Sequence, residues 1–343
     1  MVNLSKALEV CKQHVASWGE VSEESCTINK LVGLSNKVYL IETEFDVSPK
    51  RIIYRVFGSD EVIDSKKTSK IFNSLSELGV APRIYGETDS VRLEEYLEGT
   101  RHIDRDEYIQ VEFARKVGNA LRSFHAVDMK ESLNNSVSTP SKLADNWRKL
   151  AEVNLRSCVT RQEEIAEALE FLDSKYFEML KDIEPSNSPI VFSHLDTHPL
   201  NILYKEDTED VHIIDYDFAE YAYRAYDLGI LFADLKFDYT HPVYPFYTYT
   251  PEFLPSDEIV AEYVKSYGAD QEMWAEVKRC QIAADYFWGI WALAMYDEAD
   301  NSVMDYLNFG VVRLKDFFSS YCLYVEMGGN EALLRKALPF FNQ

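Results

Sequence analysis

The segments SHLDTHPLNILY (residues 193–204) and VHIIDYDFAEYAYRAYDLG (residues 211–229) decide how this chain is interpreted. The first contains the spacing H-x-D-x-x-x-x-N, with Asp196 and Asn201, and the second an apolar strand that ends at Asp215. Phosphoryl transfer requires an acceptor hydroxyl held in line, a carboxylate beside it and a metal that neutralises charge on the migrating group. The two segments therefore predict a phosphotransferase hairpin.

Each polar residue of the hairpin has a predicted role. Asp196 orients the acceptor hydroxyl and takes its proton, and Asn201 offers a neutral oxygen to Mg²⁺, which prefers hard oxygen donors. Asp215 is predicted to bind the metal that bridges the phosphates. A lone Asp at a strand end is more often a turn residue or a cap, so the prediction depends on the three together. We interpret His194 as a structural residue that holds the loop by hydrogen bonds, and His198 as incidental.

The chain around the hairpin changes character near residue 100. Before it, an amphipathic helix is predicted at 5–18, on the body of the protein or on a partner chain, and alternating apolar residues predict strands. After it, helical periodicity dominates, with helices predicted at 106–126, 143–152, 162–182, 257–267, 271–296 and 303–324, and an irregular loop at 241–255. The sequence thus predicts an α+β, two-lobed protein: a small antiparallel-sheet N-terminal lobe (1–99) that binds nucleotide and a larger, mostly helical C-terminal lobe (100–343), with ATP in the cleft between the lobes.

Composition limits the classes of protein to consider. With 343 residues, 46% of them hydrophobic, the chain can bury a sizeable core. A net charge of -23 argues against nucleic acid or an anionic membrane as the main partner, whereas a small cationic substrate suits the field. The five cysteines form no C-x-x-C pair, and no stretch is apolar enough to cross a bilayer. We therefore expect a soluble, cytoplasmic protein with reduced thiols.

The hairpin resembles that of the choline/ethanolamine kinase family, whose loop reads H-N-D-x-x-x-x-N and continues as I-D-[FY]-[ED]-[YF]-[AS]. The resemblance spans nearly the whole chain and includes VGLSNKVY (32–39), IIYRVFG (52–58), LGVAPRIYG (78–86), RLEEYLEG (92–99) and YFWGIWAL (286–293). It implies the protein-kinase-like fold of choline kinases and aminoglycoside phosphotransferases.

The resemblance also implies how ATP is bound. Arg55 should contact the phosphates, and Ser35 and Asn36 should close over them with backbone and side-chain donors. Adenine should lie against the main chain of the hinge at Glu95 and Leu97. Taken alone, Arg55 would instead be interpreted as a solvent-facing strand arginine.

Three positions depart from the family pattern. Leu195 replaces the Asn of the catalytic loop, which should alter how the loop packs. Val32 replaces a glycine of the phosphate loop and should stiffen it. The helix that in the family carries a glutamate partner for the phosphate-binding arginine reads KTSK at 67–70, and Asp64 is the predicted substitute.

An aromatic pair supplies a candidate acceptor pocket. Trp288 and Trp291 are three apart on a predicted helix and share one face. Such rings bind a trimethylammonium group by cation–π attraction, about 0.5–2 kcal/mol each, although two tryptophans in an apolar helix are more often core residues. They match the substrate-site pair of the family.

The segment DLGILFADLKFDYT (227–240) resembles the choline-type form of the family, in which an acidic residue and a tyrosine face the substrate. Those positions fall on Asp234 and Tyr239. Tyr306 is a candidate for a further wall of the pocket. The tyrosine favours choline, because ethanolamine-selective relatives generally lack it.

The resemblance thus implies a choline kinase that uses ATP and Mg²⁺ to make phosphocholine and ADP, the first step of phosphatidylcholine synthesis by the CDP-choline route. An ethanolamine kinase or a dual-specificity kinase stays open. So does a catalytically silent protein that binds nucleotide or choline. An aminoglycoside kinase shares the loop but gives no reason for the W-x-x-W helix. A homodimer is also left open.

Overall fold

The structure is a computed structural model that describes residues 2–31, 37–57, 64–133, 137, 139–299 and 303–341. The chain divides into two compact units, Met1–Thr100 and Arg101–Gln343. The first unit contains helices α1 (Leu4–His14) and α2 (Ser65–Glu77) and strands β1 (Cys26–Lys30), β2 (Lys37–Thr43), β3 (Arg51–Val56), β4 (Ile84–Glu87) and β5 (Val91–Glu95). The strands form one antiparallel sheet in the order β1-β2-β3-β5-β4.

The core of the first unit lies between its sheet and α1. Ile41 and Leu93 are fully buried in one apolar cluster with Leu8 of the helix. At Gly86 an added Cβ would lie 2.3 Å from the His14 side chain, so the missing side chain allows the end of α1 to approach β4 closely. The N-terminal helix, predicted on the body or on a partner chain, therefore packs on its own sheet.

The second unit is mostly helical. Its helices are α3 (Val111–His125), α4 (Lys130–Leu133), α5 (Pro140–Ser157), α6 (Gln162–Glu170), α7 (Ser174–Ile183), α8 (Tyr226–Asp234), α9 (Asp257–Tyr267), α10 (Gln271–Met295), α11 (Tyr306–Glu326) and α12 (Gly329–Phe341). Its short strands are β6 (Thr100–His102), β7 (Ile190–Ser193), β8 (Ile202–Lys205), β9 (Asp210–Ile213), β10 (Glu220–Tyr223), β11 (Phe237–Asp238) and β12 (Thr248–Tyr249). They form the small sheets β10-β7, β11-β12 and β6-β8-β9.

Helix α10 is the centre of this unit and packs against α5, α8, α11 and α12. Two glycines allow it to approach α11 closely. A Cβ added to Gly289 would lie 2.8 Å from Cγ of Leu314 and 3.2 Å from the carbonyl oxygen of Gly310. A Cβ on Gly310 would lie 3.0 Å from the carbonyl oxygen of Gly289. The helices thus meet backbone to backbone at this crossing.

The α+β class is confirmed, and two details of the prediction are wrong. The single helix expected at 162–182 is two helices, because Asp173 accepts a hydrogen bond from the Lys175 backbone and begins α7 as its N-cap. The loop expected at 241–255 contains β12, which pairs with β11. Helices α8 and α12 were not anticipated. Within the described parts of the chain, none of the helices is long and apolar enough to span a membrane.

Candidate active site

The predicted catalytic loop joins β7 to a 3₁₀ turn, Pro199–Asn201, at the start of β8. The Asn201 side-chain amide donates to Oδ2 of Asp196 at 3.0 Å and to the Asp196 carbonyl at 2.9 Å. The backbone N–H of Ile214 donates to the carbonyl of Asn201 at 2.9 Å, which fixes the start of the segment that carries Asp215. The structure therefore brings the three residues of the sequence motif together.

Asp227, to which the sequence analysis gave no role, anchors this loop. Its buried carboxylate accepts the backbone N–H of His194 at 2.8 Å and that of Leu195 at 2.7 Å. Nε2 of His125 lies 2.8 Å from the same carboxylate, and the Thr197 hydroxyl donates to the Asp227 carbonyl. Burial opposes ionisation, but the hydrogen bond and charge of His125 outweigh it, so the pKa of Asp227 falls below its usual value. An acidic residue in a helix that is otherwise apolar was the available sequence signal.

Both histidines of the loop serve as hydrogen-bond partners. Nε2 of His194 lies 2.9 Å from the carbonyl of Ile214, and Nδ1 accepts the Asp196 backbone N–H at 3.2 Å, which confirms that this ring holds the loop. The interpretation of His198 as incidental is wrong. Its Nδ1 accepts the Leu200 backbone N–H at 3.3 Å, and its Nε2 lies 3.9 Å from Oδ2 of Asp196. Burial lowers the pKa of His198 to about 3, so the ring is neutral.

Carboxylates are concentrated on this hairpin. Burial, followed by the charges of Asp215 and Asp217, raises the pKa of Asp196 well above its usual range, whereas the Asn201 hydrogen bond lowers it. Asp217 is a further acid that the sequence analysis did not single out. Within the described residues, no group of three or more His, Cys, Asp or Glu side chains is arranged to hold a metal ion. The side-chain amide of Asn201 lies beside the Asp196 carboxylate.

Two residues near the catalytic acids have left-handed backbone conformations, as does Glu209 in the β8–β9 turn. Leu195 has φ 61° and Asp215 has φ 68°. For a leucine this conformation costs about 1–2 kcal/mol, and full burial of its side chain offsets that by roughly 2 kcal/mol. Leu195 occupies the position where the family pattern has Asn, a residue that tolerates this conformation. Leucine at this position thus changes the packing of the loop: its side chain is buried, and its backbone is strained.

The predicted tryptophan pair and Tyr306 form one cluster, whereas Tyr239 packs on Phe237 and Phe309. The ring centroids of Trp288 and Trp291 are 5.2 Å apart, and those of Trp291 and Tyr306 are 5.7 Å apart, both edge to face. Phe218 packs edge-on to Trp288 at 5.0 Å, and Trp147 lies 6.3 Å from the same ring. Phe218 and Trp147 were not predicted. Phe218 directly follows Asp217, so the aromatic cluster begins beside the carboxylates of the hairpin.

The predicted substrate-facing pair, Asp234 and Tyr239, is also together, with an unexpected partner. The Tyr239 hydroxyl donates to Oδ1 of Asp234, and Nη2 of Arg313 donates to the same oxygen and, at 3.0 Å, to the Tyr239 oxygen. Burial and the charge of Asp196 raise the pKa of Tyr239 well above its usual value. The ring of His198 lies 5.8 Å from that of Tyr239. The pair is therefore close to the catalytic loop.

In the first unit, Arg55 lies on β3 and is 5% exposed, so it is not the solvent-facing arginine of the alternative interpretation. Its Nε donates to Oε1 of Glu94 at 2.7 Å, and Nε of Arg92 donates to the same oxygen at 3.0 Å. Asp64, the predicted partner, instead accepts the Lys67 backbone N–H at 3.0 Å as the N-cap of α2. The structure thus shows a capping role for Asp64 and a buried partner, Glu94, for Arg55.

Of the other predicted nucleotide-binding residues, the structure describes Glu95 and Leu97. Glu95 ends β5, where its backbone N–H donates to the carbonyl of Arg83 at 2.8 Å. The carbonyl of Leu97 accepts the Thr100 hydroxyl at 2.8 Å. Ser35 and Asn36 are outside the described residues.

Comparison with known proteins gives the family. The family model described as choline/ethanolamine kinase matches residues 28–318. A human choline/ethanolamine kinase is 24% identical over 91% of this chain and 85% of its own length. Ethanolamine kinase 1 of Mus musculus is 28% identical over 83% of this chain and 81% of its own length.

A solved structure supports the same conclusion for the fold. The choline kinase from Cryptosporidium parvum Iowa II superposes with a TM-score of 0.78 at 19% identity and covers 95% of this chain and 97% of its own. This confirms the predicted two-lobed, protein-kinase-like fold class. Since the family model covers most of the sequence, the chain belongs to the choline/ethanolamine kinase family and is a kinase of that family.

Proposed function

We propose that this kinase transfers the γ-phosphoryl group of ATP to the hydroxyl of choline, giving phosphocholine and ADP as the first step of phosphatidylcholine synthesis by the CDP-choline route. The observation that carries the proposal is the contact between the rings of Phe218 and Trp288, whose centroids are 5.0 Å apart. Phe218 directly follows Asp217 in the chain. Aromatic faces attract a methylated ammonium group, which cannot donate hydrogen bonds. A two-carbon amino alcohol held there would reach the carboxylates with its hydroxyl.

The reaction follows from these positions. The choline hydroxyl gives its proton to the Asp196 carboxylate, its oxygen bonds to the γ-phosphorus, and the bond from that phosphorus to the bridging oxygen breaks, so ADP leaves. The Asn201 amide holds Asp196 in place for this transfer. The cationic group of choline would rest on Trp288, Trp291 and Tyr306, and we assign Tyr239 and Asp234 to the same substrate site.

The hairpin suits a divalent cation. Burial, followed by the charges of Asp215 and Asp217, raises the pKa of Asp196, and a positive ion beside these carboxylates would oppose that effect. Asn201 and Asp215 would hold Mg²⁺, which supplies neutralisation of the phosphate charge when bound.

Residues of the first unit would bind the nucleotide. The Arg55 guanidinium, held by Glu94, suits phosphate oxygens because its planar donors match them in geometry. We assign adenine to the main chain at Glu95 and Leu97. Ser35 and Asn36 stay proposed phosphate contacts on the family resemblance.

The test is a substrate panel of choline, ethanolamine and an aminoglycoside with ATP and Mg²⁺, measured by coupled ADP release. We expect turnover with choline above that with ethanolamine. Asp196→Asn should abolish turnover and leave nucleotide binding intact, whereas Asp207→Asn, an exposed residue of the β8–β9 turn, should not alter either. No ADP release with any acceptor would indicate a silent binding protein, and a preference for ethanolamine would overturn the choice of choline.

A further inference from the structure

Arg313 of α11 is one of the most deeply buried cations among the described residues. Its side chain is 1% exposed. The guanidinium carbon lies 4.4 Å from the ring centroid of Phe237 and 4.7 Å from that of Phe309. Burying a guanidinium is unfavourable by several kcal/mol unless charged partners surround it. Its location therefore depends on the acids that it contacts.

The principal partner is the acid assigned to the substrate. Nη2 donates to Oδ1 of Asp234 and, at 3.0 Å, to the hydroxyl oxygen of Tyr239. The Asp234 side chain is only 3% exposed, and the oxygen that meets Arg313 also accepts the Tyr239 hydroxyl. The charge of Asp234 is therefore balanced within the protein, and its Oδ1 already has two donors.

A second buried cation lies close to Arg313 but holds other acids. Nζ of Lys236 donates to Oδ2 of Asp285 at 2.7 Å and to Oδ2 of Asp316 at 2.7 Å. Nη1 of Arg313 donates to the other oxygen of Asp285 at 3.3 Å. Lys236 thus belongs to the same charge cluster without any direct hydrogen bond to Asp234 in the described structure. It offers a matched control.

Choline and ethanolamine place different demands on such a pocket. The quaternary nitrogen of choline has no N–H group, so aromatic faces and a diffuse field are sufficient. The primary ammonium of ethanolamine has three donors, and each donor buried without an acceptor costs roughly 1–3 kcal/mol. A pocket whose carboxylate is already paired with a buried cation therefore penalises ethanolamine more than choline.

We propose that Arg313 is a specificity-determining residue that favours choline over ethanolamine by occupying the carboxylate of Asp234. The inference rests on the proposed function and deepens it. Arg313 acts through Asp234 and does not touch the reacting atoms, so it is a positioning residue. The quantity that it controls is the ratio of kcat/KM for choline to kcat/KM for ethanolamine.

The test is Arg313→Gln, which removes the cation and frees Asp234. We expect the choline-to-ethanolamine ratio to fall by about tenfold, chiefly through a lower KM for ethanolamine. A purely structural role for Arg313 would lower turnover of both amines equally and leave the ratio unchanged, and that result would overturn the inference. Lys236→Gln removes a neighbouring buried cation and should leave the ratio within about twofold of the original.

The double variant Arg313→Gln with Asp234→Asn tests whether Arg313 acts through Asp234. It removes the carboxylate of Asp234 together with the cation, so the ratio should return toward that of the unmodified protein. If the ratio stays low, Asp234 is not the acceptor and the inference fails. Thermal unfolding of each variant identifies any that do not fold.

Asp234→Asn alone keeps the inference testable if Arg313→Gln does not fold. We expect the ratio to change by less than about threefold, because Arg313 already balances the charge of Asp234 in the unmodified protein. A selective loss of ethanolamine turnover would mean that Asp234 already binds the ammonium, and would overturn the inference.

The failure of this inference differs from failure of the proposed function. If the unmodified protein phosphorylates neither amine, the proposed function fails. If it phosphorylates choline and Arg313→Gln leaves the ratio unchanged, only the role of Arg313 fails. A preference for ethanolamine in the unmodified protein would overturn that role while leaving an amino-alcohol kinase.

Discussion

Nε of Arg55 donates a 2.7 Å hydrogen bond to Oε1 of Glu94, and the side chains of both residues are 6% exposed. The same carboxylate accepts Nε of Arg92, so one acid holds two buried guanidinium groups. Removing its charge would weaken the compensation of both cations. Glu94 therefore helps to fix the orientation of the proposed phosphate-binding arginine.

Glu94→Gln should raise the KM for ATP about tenfold, because Arg55 loses its fixed orientation. It should also lower the free energy of unfolding by about 1–3 kcal/mol. Steady-state kinetics and urea denaturation measure the two effects. Asp64→Ala is the matched control: loss of the α2 cap should lower stability by about 1 kcal/mol without changing the KM for ATP. If Asp64→Ala raised the KM for ATP more than Glu94→Gln did, Asp64 would be the partner that orients Arg55.

Asp227→Asn should reduce kcat about 100-fold, because the amide offers one acceptor oxygen where two N–H groups of the catalytic loop need acceptors, and small displacements of the loop misplace Asp196. The KM values for ATP and the amine should change little. Stopped-time assays with saturating substrates measure kcat. Asp182→Asn, on an exposed acid that accepts the Tyr321 hydroxyl, should leave kcat unchanged. An unaltered kcat in Asp227→Asn would show that the anchor is dispensable.

Acid should destabilise the protein through Asp305, the N-cap of α11. Burial opposes its ionisation, but hydrogen bonds from Arg161 at 2.7 and 2.9 Å and from Tyr244 prevail, so the pKa of Asp305 lies below its usual value. Because that pKa is lower in the folded than in the unfolded protein, the carboxylate stabilises the fold above about pH 4 and this contribution is lost as the pH falls further.

Urea denaturation at pH 7, 5 and 3 measures this effect. Asp305→Asn should be less stable than the unmodified protein at pH 7 by about 2 kcal/mol, and the difference should shrink at pH 3. For the control variant Asp46→Asn, at an exposed residue, the difference in stability from the unmodified protein should not shrink between pH 7 and pH 3. Equal differences at pH 7 and pH 3 would contradict the role of ionised Asp305.

Gly289→Ala should push α10 away from α11, since the new Cβ would lie 3.2 Å from the Gly310 carbonyl oxygen and 2.8 Å from Leu314. We expect about 1–3 kcal/mol of lost stability and a higher KM for choline, because Trp291 and Tyr306 lie on the two helices that separate. Gly19→Ala is the control, as its Cβ would have an ordinary 3.7 Å neighbour. A normal KM for choline in a destabilised Gly289→Ala protein would exclude the crossing as a determinant of the pocket.

The sequence was informative where a function depends on close spacing. Asp196 and Asn201 lie on one loop, and Trp288 and Trp291 on one helical turn, so local geometry alone brings each pair together. The strand predicted from the apolar segment IIYRVFG likewise placed Arg55 on β3. These features need no knowledge of tertiary packing.

Contacts between distant segments were not predictable in this way. Glu94 reaches Arg55 because the register of β3 against β5 pairs Arg55 with Arg92, which places Glu94 diagonally on the same face. No local pattern specifies that register. Arg313 is an arginine on a helix and would be placed on the surface by type alone, yet Asp234 and two phenylalanine rings bury it.

Helix α8 limits where proteins of this family can gain or lose residues. Its nine residues are all buried, with Asp227 near one end and Asp234 at the other. The two acids are separated by roughly 10 Å at about 1.5 Å per residue. Inserting or deleting one residue would rotate one acid by about 100° relative to the other, away from either the loop or Arg313. We therefore expect sequence insertions and deletions among relatives to accumulate in the loop after α8, and α8 itself to keep a constant length.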